Sequence, residues 1–145
     1  MKKFLKKSNY KVVFFCPSIE EGGVEKNLIN ISNNLSNEID ISLISANENK
    51  RKYFNNKIKY IAPKNKFFNY KSRFLKVVVS IFLFFKFFFS KKTIIVSFQA
   101  NIAAIVLGKI FRSKVIIRSN SSPNYYAKNF LKKKIMKFFY FFADK

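Results

Sequence analysis

Short apolar runs alternate along this chain with segments of helical period, and that alternation narrows the fold more than any other feature. "KVVFFC" (11–16) is a buried-strand pattern closed by Pro17. After a loop to Gly23, apolar residues recur at Val24, Leu28, Ile31 and Leu35, one face of a helix. "IDISLIS" (39–45) and "KIKYIA" (57–62) are strand-like and flank a polar loop over 46–56. "TIIVSF" (93–98), "NIAAIVLGKIF" (101–111) and "KVIIRS" (114–119) give strand, helix, strand. "KNFLKKKIMKFFYFF" (128–142) is a helix with Leu131, Ile135, Phe138 and Phe142 along one side. The order β-α-β-β-α-β-α-β-α predicts an α/β, Rossmann-like three-layer domain over 11–145 with a mainly parallel sheet. Residues 1–10 form a basic extension.

The stretch 71–92, "KSRFLKVVVSIFLFFKFFFSKK", is ambiguous. Lys76 and Lys86 interrupt it, whereas a membrane span needs ~20 apolar residues. On a helical wheel Ser72, Arg73, Lys76, Ser80, Lys86 and Ser90 fall in one arc, with Leu83 and Phe87 among them. The expectation is an amphipathic helix that packs its broad apolar face on the sheet. Membrane contact is the other open reading.

Charge divides the chain. Residues 1–48 balance six lysines against six acids, while 49–145 hold 23 basic residues and one acid, Asp144. Such a surface attracts phosphate-bearing partners or anionic lipid. The basic residues are 25 Lys and 4 Arg, which makes a base-reading nucleic-acid module an unfavoured assignment. A compositional bias toward Phe, Ile, Asn and Lys is the competing source of the excess. With no histidine and a single cysteine, Cys16, the chain carries neither a His/Cys metal site nor a His-activated nucleophile, and no metal is expected. The N-terminus lacks the apolar stretch of a signal peptide, so a cytoplasmic location is expected.

Two of the three glycines, Gly22 and Gly23, stand between the first strand and the first helix. A ligand in a doubly wound sheet sits at this strand end, where helix N–H groups and the helix dipole favour an anion. Glycine there permits positive φ and close approach. Glu20, Glu21 and Glu25 oppose a bare phosphate, and the loop is neither G-x-G-x-x-G nor a P-loop.

The stretch "KVVFFCPSIEEGGVEKNLINISNNLSNEIDISLIS" resembles the opening of family 4 glycosyltransferases of the GT-B fold. The matching residues are Gly22, Gly23, Glu25, Leu28, Asn30, Leu35, Ile41, Leu43 and Ile44. "KKTIIVSFQANIAAIVLGKIFRSKVIIRSNSSPNYY" is similar to a later strand-helix-strand of that family, with Arg118, Asn120 and Pro123 in an R-x-N-x-x-P loop. The final "ADK" resembles the lead-in to a following strand. The resemblance implies the N-terminal, acceptor-side half of a GT-B enzyme, a hexosyltransferase type acting in polysaccharide biosynthesis. On that basis Gly22 and Gly23 lie near the donor diphosphate, and Arg118, Asn120, Ser97 and Gln99 are acceptor-side candidates. The donor domain with its paired glutamates is not in these residues, so the chain alone is expected to be inactive. Positive charge for the diphosphate is expected mostly from that other half. The implied substrates are a nucleotide-sugar and a glycan or lipid-linked acceptor, with no cofactor. Lys132, Lys133, Lys134 and Lys137 are candidates for contact with an anionic membrane, at its inner face. The alternative is a non-enzymatic basic protein that binds membrane or nucleic acid by charge.

Overall fold

A computed structural model describes residues 11–64, 72–88, 93–118 and 130–144. Five strands form one sheet: β1 (Lys11–Phe15), β2 (Ile41–Ile44), β3 (Lys59–Ile61), β4 (Thr93–Ser97) and β5 (Lys114–Ile117). Their order is β3-β2-β1-β4-β5 and every pair is parallel. Four helices are described: α1 (Gly23–Leu35), α2 (Arg73–Phe88), α3 (Asn101–Ile110) and α4 (Phe130–Tyr140).

The central strand β1 is buried on both faces, as its continuous apolar run requires. Phe14 points to one side, into a core with Leu28, Ile41, Leu43, Phe54, Ile58 and Phe98 under α1. Val13 and Phe15 point to the other, into a core with Phe84, Phe88, Ile105, Leu107 and Val115. That second face carries α2, α3 and α4, so the layers are α1, sheet, and a three-helix layer.

Three expectations change. The polar segment 46–56 contains a 3-10 helix over Glu48–Tyr53. Arg51 holds it by donating through Nη1 to the Phe54 and Asn55 carbonyls at 2.8 and 3.1 Å. Asn33 of α1 bonds Tyr53 O and Asn55 N, which fastens this segment to the helix. In α1 the buried stripe runs through Glu25, Leu28 and Ser32, and Ile31 is left exposed. In α2 part of the polar arc turns inward: Lys76 and Ser80 are buried with Phe84 and Phe88, while Ser72, Arg73 and Lys86 stay exposed. Leu83 and Phe87, out of place in a solvent-facing arc, pack against the core on this orientation. The outward side of α2 keeps Phe74, Leu75 and Phe82 exposed. With Pro63, residues Leu75, Val78, Val79, Phe82, Leu83 and Lys86 line a shallow apolar groove there.

Candidate functional site

The chain leaves β1 toward β2 on one side and leaves β4 toward β5 on the other. The crevice at the carboxyl ends of β1 and β4 is therefore the topological switch point, where open α/β sheets bind ligands. Residues 16–22 form one wall. Cys16 N bonds Ile44 O at 3.1 Å and Ala46 N bonds Pro17 O at 3.0 Å, continuing the sheet into the loop. Two side-chain amides then pin it: Ser18 N donates to Gln99 Oε1 at 3.2 Å, and Ile19 N to Asn47 Oδ1 at 3.0 Å.

Gly22 is the N-cap of α1 with extended backbone, φ −157° and ψ 174°, and neither it nor Gly23 has positive φ. The left-handed conformation expected of this pair is not what the glycines supply. A Cβ on Gly22 would stand 2.6 Å from Glu25 Oε2, while one on Gly23 would meet nothing within 4 Å. Gly22 thus leaves room for the Glu25 carboxylate, and Gly23 presents bare backbone to open space. Glu25 is buried in the first turn of α1, favourable against the helix dipole, and accepts from Gln99 Nε2 at 2.8 Å. Gln99 therefore bridges the ends of β1 and β4 through both ends of its amide.

Glu20 is held at the loop's outer edge. Arg73 of α2 donates to it from Nη2 at 2.6 Å and from Nε at 3.4 Å. Ser18 Oγ donates to Glu20 Oε1 at 2.9 Å and accepts from Lys76 Nζ at 3.0 Å. Lys76 Nζ also lies 3.5 Å from Glu20 Oε1. The Arg73 hydrogen bonds, then the Ser18 hydroxyl, pull the Glu20 pKa down to about 2. Glu21 is exposed, with Lys50 Nζ at 3.9 Å.

On the β4 side, Ser97 Oγ shares its proton between Gln99 O at 2.8 Å and Asn101 Oδ1 at 2.9 Å. Ser97 is fully buried and shapes the loop from behind; it does not reach the crevice. Between Gln99 and Asn101, Ala100 takes left-handed backbone at φ 55°, a strained position for a residue with a Cβ. Asn101 Nδ2 lies 3.1 Å from both Arg118 O and Tyr140 OH, which ties β5 and α4 to this end of the sheet. Arg118 is half-buried, its guanidinium 5.8 Å from the centre of the Phe98 ring. Asn120 and Pro123 lie outside the described residues. Cys16 is buried, and burial together with the Glu25 charge pushes its thiol well above the usual range, so it is no nucleophile. Among the described residues no group of three or more His, Cys, Asp or Glu could hold a metal ion.

The structure thus brings Gly22, Gly23 and Gln99 to one crevice and sets Arg118 at its β5 side. Ser18, Arg73, Lys76, Asn101 and Tyr140 join them without any signal in the sequence. Their partners are 39 residues away for Asn101 and 58 for Lys76, and no local spacing marks such pairs. Lys133, Lys134 and Lys137 are exposed on α4; the Lys132 side chain lies outside the described set.

The class these features define is a Rossmann-like α/β domain with an all-parallel five-stranded sheet. No family model matches the chain, and no curated protein sequence matches it.

Proposed function

We propose that this domain supplies one wall of a glycosyltransferase site, the acceptor-side wall, with the β1–α1 loop facing the donor diphosphate. The observation that carries the reading is the placement of Gly22, Gly23 and Glu25 at the β1/β4 switch point, with Gly23 open to solvent. The substrates are a nucleotide-sugar and a glycan or lipid-linked acceptor. Gln99 and Glu25 fix the loop, and Arg118, beside the end of β4, is the candidate to meet an acceptor oxygen or phosphate. Transfer needs a donor-binding wall from a second domain, on the same protein or a partner. The test is sugar transfer from a panel of nucleotide-sugars by this chain mixed with a domain that carries paired glutamates. Transfer in the mixture alone is the expected result; none from any donor sinks the reading.

A second reading concerns location, and the three-helix layer favours it. Of the fourteen exposed large apolar residues among the described ones, eleven lie on α2, α3, α4 and the turn after α4. None of these three helices contains an acid, while Lys86, Lys109, Lys133, Lys134 and Lys137 interleave with the aromatics. Apolar side chains ringed by lysine fit an anionic lipid surface better than a nucleic acid, which offers no apolar phase. No described helix is long and apolar enough to cross a membrane. The domain would lie on the inner membrane face, with this layer down.

A further inference from the structure

We propose that Ser18, Arg73 and Lys76 form a seat for a phosphate group of a ligand, which Glu20 fills when no ligand is bound. This extends the reading of the loop as a diphosphate wall, but its test requires no transfer reaction.

Four donors converge on one carboxylate. Arg73 offers a two-nitrogen fork, Lys76 an ammonium and Ser18 a hydroxyl, all between 2.6 and 3.5 Å. A carboxylate and a phosphate take the same donors in the same geometry. The seat is on the rim of the switch-point crevice, because Ser18 N is bonded to Gln99 at the end of β4. The two cations are aimed at Ser18 and Glu20 of this loop, whereas Lys50 approaches Glu21 instead, at 3.9 Å. The Lys76 side chain is 11% exposed, so an anion must stay beside it, since a buried ammonium without one is costly. Glu20 is a loop residue whose side chain is 41% exposed and free to swing outward on its two methylenes. When it swings out, an incoming phosphate keeps the charge balance. The remaining glutamates do not obstruct: Glu25 is bound by Gln99 and Glu21 points to solvent near Lys50. Positive charge for a diphosphate is therefore present on this wall too, where it was expected mostly from the other half.

The experiment is a titration of the full chain with inorganic pyrophosphate at about 0.15 M salt, where exposed lysines are screened beyond about 8 Å. Glu20→Gln removes the internal competitor and is expected to tighten pyrophosphate about tenfold; Arg73→Gln, at an exposed position, is expected to weaken it by a similar factor. Unchanged or weaker binding in Glu20→Gln overturns the proposal. So does binding that survives Arg73→Gln but falls in a Lys133→Gln/Lys134→Gln double variant, which would mark a diffuse polycation. Should Glu20→Gln fail to fold, the Glu20 carboxyl carbon resonance in the unmodified chain decides. It must move as pyrophosphate is added, and a stationary resonance at saturation overturns the seat. Vesicles of phosphatidylglycerol distinguish the source. Tighter vesicle binding in Glu20→Gln identifies a lipid headgroup phosphate, and unchanged vesicle binding beside tighter pyrophosphate binding identifies a soluble diphosphate.

Discussion

The two glycines of the β1–α1 loop have different reasons to be glycine. Gly22 is crowded by Glu25, and Gly23 faces empty space at the helix start. Gly23→Ala is expected to leave the unfolding free energy within about 0.5 kcal/mol of the parent while reducing binding of any ligand that approaches the backbone there. Equal loss of stability and binding would make Gly23 a structural residue. Gly108 of α3 is a glycine for packing: a Cβ there would stand 2.0 Å from Val115 Cγ2 and 3.3 Å from Ser113 O. Gly108→Ala is expected to cost about 1–3 kcal/mol in denaturant unfolding, because neither the β-branched valine nor the backbone can give way. Glu20 makes a pH prediction. Its pKa falls from an ordinary 4.5 to about 2 on folding, so its contribution is present above pH 4.5 and is lost as pH drops through 2. The pair is largely exposed, which limits that contribution to below about 1 kcal/mol. Carboxyl NMR should find the midpoint near 2, and Arg73→Gln should return it toward 4.5.

At the scale of elements, the existence of β1–β5 and α1–α4 was legible because apolar runs and helical periods alternate so regularly. The faces of α1 and α2 were legible only in part: Val24, Leu28 and Leu35 do pack on the core under α1. Hydrophobic periodicity put Ile31 inward and the Lys76–Ser80 arc outward, and both are reversed. The physical reason is shared. Small serines, Ser32 and Ser80, sit fully buried where each helix packs against the interior. In α2 the first-turn polar groups find partners on the β1–α1 loop, which no wheel can show. Ser80 Oγ makes no hydrogen bond among the described residues. Ser80→Ala is therefore expected to be neutral or stabilising, since it removes an unsatisfied buried hydroxyl. Phe84→Ala, four residues along the same face, is expected to cost about 3–5 kcal/mol. If Ser80→Ala costs as much as Phe84→Ala, the assigned orientation of α2 is wrong.

Across the whole molecule, the parallel sheet followed from the order of elements. The crevice followed in part: Gly22, Gly23 and Gln99 were legible because they border strand ends. Lys76, Ser18 and Asn101 were not, because tertiary contact alone unites them. Charge and apolar exposure are segregated in the same way, with a balanced α1 side and an acid-free three-helix layer. Phe138 and Phe141 are 61% and 83% exposed, so Phe138→Glu/Phe141→Glu should fold as the parent does. Each ring would contribute roughly 1.5–3 kcal/mol if buried in lipid, so the double variant should lose at least tenfold in flotation with anionic vesicles. Undiminished flotation would remove the layer as a docking face.

The claim on which the rest depends is that ligand binds at the β1/β4 switch point. A titration of the isotopically labelled chain with UDP-glucose, followed amide by amide, tests it most directly. The expected result is perturbation concentrated at residues 18–25 and 97–101, with Arg118, and little along α4. Perturbation scattered over the lysines of the three-helix layer, or none at saturating sugar nucleotide, would contradict it.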